Sequence, residues 1–166
     1  LDTRPTTDRI KETLFNMLMP NLPNAVFIDL FSGSGGIGIE ALSRGANKAY
    51  FVENNQKAVA CITENLEHTH LSDRAVVLKQ DVFAALRGSI RDTADIIFLD
   101  PPYQQEYDRK VLELLRDAAF VTDDTLIVVE ASATTSFDYV DTLGFVVEKS
   151  KQYKTNKHVI SKRNTQ

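Results

Sequence analysis

Short runs rich in Val, Ile and Phe, most of them apolar on both faces, alternate along this chain with segments whose apolar residues recur at helical spacing. The runs are Val26–Leu30, Ala49–Val52, Val76–Leu78, Ile96–Leu99, Leu126–Val129, Phe145–Val147 and His158–Ser161. Strands apolar on both faces are the mark of a parallel sheet covered by helices on each side. Between them, Ile10, Leu14, Met17 and Leu18 form one helical stripe, and Val111, Leu114, Leu115 and Ala118 form another. Val59, Ile62 and Leu66 mark a third, with Asn54 or Asn55 as its N-cap. Cys61 falls beside that stripe as a small core residue. A helix from about Gly36 to Arg44 ends at Gly45, a natural C′ residue.

Strand alternating with helix predicts an α/β fold, a doubly wound and mostly parallel seven-stranded sheet with right-handed crossovers. The last two strands are joined by too short a connection to be parallel, so they form a C-terminal antiparallel hairpin. That is the Rossmann-like arrangement of class I methyltransferases. One domain is expected over residues 1–166, an N-terminal helical segment at 1–24 preceding a sheet core at 25–166.

Composition narrows the class only a little. Length 166, with 43% hydrophobic and 25% charged residues, fits one globular domain able to bury roughly 70% of its unfolded surface. No apolar run approaches the roughly 20 residues of a membrane span. The opening Leu1-Asp2-Thr3-Arg4-Pro5 shows no signal pattern and no initiating Met, and is read as a processed, clipped or partly disordered beginning. The single Cys61 excludes an internal disulfide and suits a reducing compartment, so a cytoplasmic location is expected. The net charge of −4 announces no nucleic-acid binder, yet Lys149, Lys151, Lys154, Lys157, Lys162 and Arg163 follow one another with no acid between them.

The chemistry begins after the first strand. Gly33, Gly35 and Gly38 in Asp29-Leu-Phe-Ser-Gly-Ser-Gly-Gly-Ile-Gly match the dinucleotide fingerprint G-x-G-x-x-G, and Glu53 stands at the end of the next strand. Taken alone, this suits a dehydrogenase as well as a methyltransferase. Charge separates the two. Asp29, Glu53, Asp81 and Asp100 all fall at strand ends, on the carboxyl edge where such sheets bind ligands. An acid beside the glycine turn repels a pyrophosphate, whereas S-adenosylmethionine carries no phosphate and its sulfonium and amino groups are cations. Glu53 suits the ribose hydroxyls and Asp81 the adenine amine. Phe31, Ser32, Ser34, Asn54 and Val82 flank these positions and complete the expected cofactor set.

Asp100-Pro101-Pro102-Tyr103 follows the fourth strand. Two prolines remove two backbone donors and leave nearby carbonyls free to accept. An exocyclic base amine is a poor nucleophile because its lone pair is delocalised into the ring. Asp100 and a loop carbonyl can each accept one N–H and so orient the nitrogen, while Tyr103 offers a face for base stacking, worth ~1–3 kcal/mol. Catalysis is then mainly positioning. No metal is required; His68 and His70 lack partners at ligand spacing and are taken as surface residues.

Arg4-Pro-Thr-Thr-Asp-Arg-Ile-Lys-Glu-Thr-Leu-Phe-Asn16, the Asp29 glycine segment, Glu40-Ala-Leu-Ser-Arg-Gly-Ala46 and Asp100–Tyr103 together resemble the bacterial 16S rRNA guanine-N2 methyltransferases of the RsmD type. The resemblance implies an S-adenosylmethionine cofactor and guanine N2 of small-subunit rRNA as target. It places Arg4, Thr7 and Arg9 near the cofactor's methionine end and the substrate entrance. Family members carry a further basic segment before this Arg-Pro-Thr stretch. The hairpin turn with Lys151, Tyr153, Lys154 and Lys157 then rises beside the site and suits a phosphate backbone. A monomer working on the small ribosomal particle is expected. DNA or RNA adenine-N6 and cytosine-N4 methyltransferases share Asp-Pro-Pro-Tyr and remain the alternative, as does a cofactor-binding module without activity; a protein glutamine methyltransferase has Asn where this chain has Asp100.

Overall fold

The computed structural model describes residues 5–101 and 105–164, with side chains described for 8–101 and 107–164. Arg4, Pro102 and Tyr103 lie outside the described residues, as does the side chain of Thr7. Among the described residues five α-helices, α1 (Pro5–Leu18), α2 (Gly36–Ser43), α3 (Gln56–His68), α4 (Val82–Gly88) and α5 (Gln105–Arg116), accompany seven strands. The strands are β1 (Val26–Leu30), β2 (Lys48–Val52), β3 (Ala75–Leu78), β4 (Ile96–Leu99), β5 (Leu126–Ser132), β6 (Phe145–Gln152) and β7 (Asn156–Arg163).

They form one sheet in the order β3-β2-β1-β4-β5-β7-β6. The first five are parallel, and β7 is antiparallel to both β5 and β6. This is the class I methyltransferase arrangement. The order reverses between β1 and β4, and ligands of such sheets settle at that reversal, beyond the carboxyl ends of the strands.

Strand alternation divides the core in two. Phe27, Ala49, Phe51, Phe98, Val128 and Ile160 face α1, α2 and α3, where they meet Leu14, Phe15, Leu18, Leu42, Ile62 and Leu66. Ile28, Leu30, Tyr50, Val52, Leu99, Ile127 and Val129 face α4 and α5, meeting Ala85, Leu86, Val111, Leu112 and Leu115. Both faces are buried, which is why these strands read as continuous apolar runs.

Several expected details change. In α5 the buried stripe is Val111, Leu112 and Leu115; Leu114 is only partly buried and Ala118 lies past the helix end. Phe15 joins Leu14 and Leu18 in the core, whereas Met17 is only partly buried. Asn55, not Asn54, caps α3, its Oδ1 accepting the Ala58 amide at 2.9 Å. Cys61 is half-buried at the edge of α3 rather than in the core. The short helix α4 was not expected, because seven residues hold too few turns to display a period. His68 and His70 are exposed. Among the described residues no helix is long and apolar enough to cross a membrane.

Candidate active site

The glycine turn between β1 and α2 is built from positive backbone angles. Phe31, Gly33 and Gly35 have φ of 59°, 58° and 87°, which turn the chain sharply off the sheet edge. Gly38 has an ordinary backbone and a different constraint: a Cβ there would meet the Phe51 ring, with Cζ at 2.8 Å. The third glycine of the fingerprint therefore allows α2 to pack closely on β2.

Two buried or half-buried acids hold this turn from either side. Asp29 is 1% exposed, and its Oδ2 accepts the Gly38 amide at 3.1 Å. Burial pushes its pKa up to about 8, against the Gly38 hydrogen bond; Asp100 and Glu53 add to the rise. Asp29, expected at the ligand edge, thus lies beneath the turn as its support. Ser32 donates its hydroxyl to the Asp29 carbonyl at 2.7 Å. Glu53 accepts the Gly33 amide through Oε1 at 2.8 Å and the Asn55 amide through Oε2 at 3.0 Å. The Ser34 carbonyl accepts from Asn65 Nδ2 at 3.1 Å.

On the α4–α5 side of the sheet edge, a cavity of about 210 Å3 is lined by Phe31, Val52, Glu53, Asn54, Gln80, Asp81, Val82 and Tyr107. Tyr107 stacks on Phe83 at 5.7 Å and meets Phe31 edge-on at 5.7 Å, giving the cavity an aromatic wall. Asp81 caps α4, its Oδ2 accepting the Phe83 amide at 3.1 Å. Gln80 Oε1 is buried and has no hydrogen-bond partner. An unmet acceptor of this kind is costly unless a ligand donor satisfies it. A carboxylate, an aromatic wall and an unmet acceptor fit an adenosine group, whose ribose hydroxyls and exocyclic amine are donors. The residues present therefore fit the adenosine part of S-adenosylmethionine.

On the opposite side, a cavity of about 500 Å3 is lined by residues including Ile10, Lys11, Leu14, Phe98, Asp100, Glu130, Asn156 and His158. Burial raises the Asp100 pKa to about 7, helped by the charges of Glu130 and Asp108. Glu130 is held by two donors: His158 Nε2 lies 2.7 Å from Oε1, and Asn156 Nδ2 lies 3.2 Å from Oε2. His158 is 1% exposed, and Tyr153 donates its hydroxyl to Nδ1 at 3.0 Å if, as this network favours, the ring proton sits on Nε2. A groove of about 350 Å3 adjoins this cavity, lined by Arg9, Ile10, Thr13, Tyr153, Lys154, Thr155 and Asn156. The hairpin turn thus stands on the ligand edge, because β6 runs parallel to β5. Lys151 and Lys154 are exposed there, and Lys157 lies 5.5 Å from the Phe137 ring centre.

The structure brings Glu53, Asn54, Asp81, Val82 and Phe31 to one cavity and Asp100 to the other. Gln80, Tyr107, Glu130, Asn156 and His158 join them without having been singled out in the sequence. Glu130 had the same signal as the four acids that were: it follows the apolar run Leu126–Val129.

Residues 1–161 match the family described as "Conserved hypothetical protein 95". The Bacillus subtilis protein "Putative rRNA methyltransferase YlbH" is 40% identical over 130 residues, covering 77% of this chain and 71% of the relative. "Ribosomal RNA small subunit methyltransferase D" of Escherichia coli is 37% identical over 129 residues, 77% of this chain and 64% of the relative. Among solved structures, "Putative methyltransferase yhhF from Escherichia coli" superimposes with a TM-score of 0.82 at 30% identity, covering 98% of this chain and 89% of that one. The chain belongs to the conserved hypothetical protein 95 family, the RsmD family of class I methyltransferases.

Proposed function

We propose that this chain methylates the N2 amine of a guanine in 16S rRNA of the small ribosomal subunit, using S-adenosylmethionine. The observation that carries the reading is Asp100: a strand-end carboxylate in the wall of the larger cavity, one strand away from the glycine turn. That the substrate is small-subunit rRNA is supported by the relatives' names, which include rRNA methyltransferases.

Glu53, Asn54, Gln80 and Asp81 would hold the adenosine part of the cofactor, with Phe31 and Tyr107 against its faces. The cofactor supplies an electrophilic methyl group on a sulfonium. Asp100 accepts an N–H of the target amine, orients its lone pair, and takes the proton that the nitrogen must shed as the new N–C bond forms. A carboxyl with a pKa near 7 is matched to that exchange at neutral pH. Pro101 leaves no backbone donor to compete for the amine's acceptors, and Pro102 and Tyr103 are proposed to finish the base-holding loop. Arg4, Thr7 and Arg9 with Lys151, Tyr153, Lys154 and Lys157 would carry the RNA backbone past the site. This domain acts in the cytoplasm, as a monomer.

Mass spectrometry of rRNA nucleosides from cells lacking the protein tests this. Loss of one N2-methylguanosine is expected. Loss of a different modification, or of none, contradicts it.

A further inference from the structure

Three side chains stand in one row across the larger cavity. Leu99 of β4 pairs in register with Val129 of β5, so the next residues, Asp100 and Glu130, follow side by side. Adjacent strands are ~4.8 Å apart, and register partners in a parallel pair point to the same face. Glu130 in turn pairs with His158 of β7. Asp100, Glu130 and His158 all line the same cavity.

Glu130 is not a loose surface acid. Each of its oxygens already accepts one hydrogen bond, from His158 and from Asn156, and Tyr153 holds the far side of His158. These three side chains fix its rotamer, and one lone pair on each oxygen is uncommitted to them. The side chain remains 26% exposed. The cavity wall therefore offers two carboxylates at neighbouring positions, Glu130 held in place, where positioning one amine needs only one.

Among the bases that carry an exocyclic amine, two adjacent donors distinguish guanine. Its N2 amine sits next to N1–H, whereas the adenine and cytosine amines sit next to a ring nitrogen that is an acceptor. We propose that Glu130 restricts the site to guanine, accepting N1–H while Asp100 accepts N2–H. This rests on the guanine-N2 reading above and gives it a residue. With adenine or cytosine in the same place, a ring lone pair faces the Glu130 carboxylate with no proton between them. A polar contact left unmet in this way disfavours the wrong base.

The test uses a base that separates the two hydrogen bonds. 2-Aminopurine keeps the amine at the same ring position as guanine but has an acceptor at N1. Small subunits are reassembled on 16S rRNA carrying guanine or 2-aminopurine at the methylated position, and single-turnover rates are measured with labelled S-adenosylmethionine. Wild type is expected to prefer guanine by roughly 10²-fold. Glu130→Gln, which can turn an amide N–H toward N1, should narrow that preference to about tenfold or less. The Glu130→Gln protein is first checked for an unchanged melting temperature and cofactor affinity. Wild type using both bases at similar rates would overturn the proposal without any variant. A Glu130→Gln protein that slows both bases equally, or changes neither, would also overturn it, with N2-methylguanosine formation by wild type left standing. If wild type yields N6-methyladenosine, both the proposal and the reading beneath it fail.

Discussion

Glu53 and Gly33 are joined by one hydrogen bond of 2.8 Å, from the Gly33 amide to the carboxylate that follows the second strand. The glycine turn is thereby tied to the residue expected to hold the ribose. Glu53→Ala should weaken S-adenosylmethionine binding about tenfold to a hundredfold, through the lost ligand contact and the released turn. Calorimetry reads this directly. Glu53→Gln keeps an acceptor for Gly33 and should fall between the two.

Gly38 and Phe51 give a packing prediction. Gly38→Ala places a methyl group against the Phe51 ring and should cost about 1–3 kcal/mol of stability. Phe51→Leu in the same chain should recover part of that loss, which denaturant melts of the two single variants and the double variant would show.

Asp29 makes stability depend on pH. Its pKa is raised in the fold to about 8, from an ordinary carboxylate value of 3.8. Between those values the folded protein keeps a proton that the unfolded chain has released, so stability falls as pH rises from about 4 to 8. Asp100 and Asp108, also raised, act in the same direction. Asp29→Asn retains an acceptor for the Gly38 amide and cannot ionise. Its melting temperature should decline less steeply across that window than wild type's, and the difference between the two curves belongs to Asp29.

Asp100 should set the pH dependence of the rate. Only its carboxylate form can take the amine's proton, so kcat/KM should rise with pH and level off above about 7. Asp100→Ala should lose about two to three orders of magnitude in single-turnover rate while keeping cofactor affinity. The acid limb should vanish in Asp100→Asn.

How much of this was legible beforehand depends on the kind of signal. Strands buried on both faces announced themselves as apolar runs, and Gly33, Gly35 and Gly38 announced the turn. The seven-residue helix α4 was hidden because it is too short to display a period, and Asp81, singled out as a ligand position, is its N-cap as well. Asp29 was placed in the correct strand, but its depth was invisible: a strand-end acid can face the ligand or lie beneath the turn, and only packing decides. Gln80 carried no motif, and its meaning lies in an unmet buried oxygen. His158 sits far from Glu130 in sequence, and their meeting depends on β7 inserting between β5 and β6.

The basic hairpin turn should contribute phosphate contacts and nothing to the cofactor. Replacing Lys151, Lys154 and Lys157 with Gln should weaken binding to the small subunit and lower the slope of log affinity against log salt by about two to three. Titrations at several salt concentrations measure that slope, with cofactor calorimetry as the control.

The central claim is tested most directly by competition among substrates. Unmethylated small subunits, free 16S rRNA and duplex DNA are offered together with labelled S-adenosylmethionine, then digested to nucleosides. A domain of this size presents little surface for reading sequence, and a particle that holds the target base exposed spares part of the few-kcal/mol cost of extruding a paired one. The predicted result is label in N2-methylguanosine of 16S rRNA, with the small subunit preferred over free RNA. Label in N6-methyladenosine, or a preference for DNA, would contradict the account.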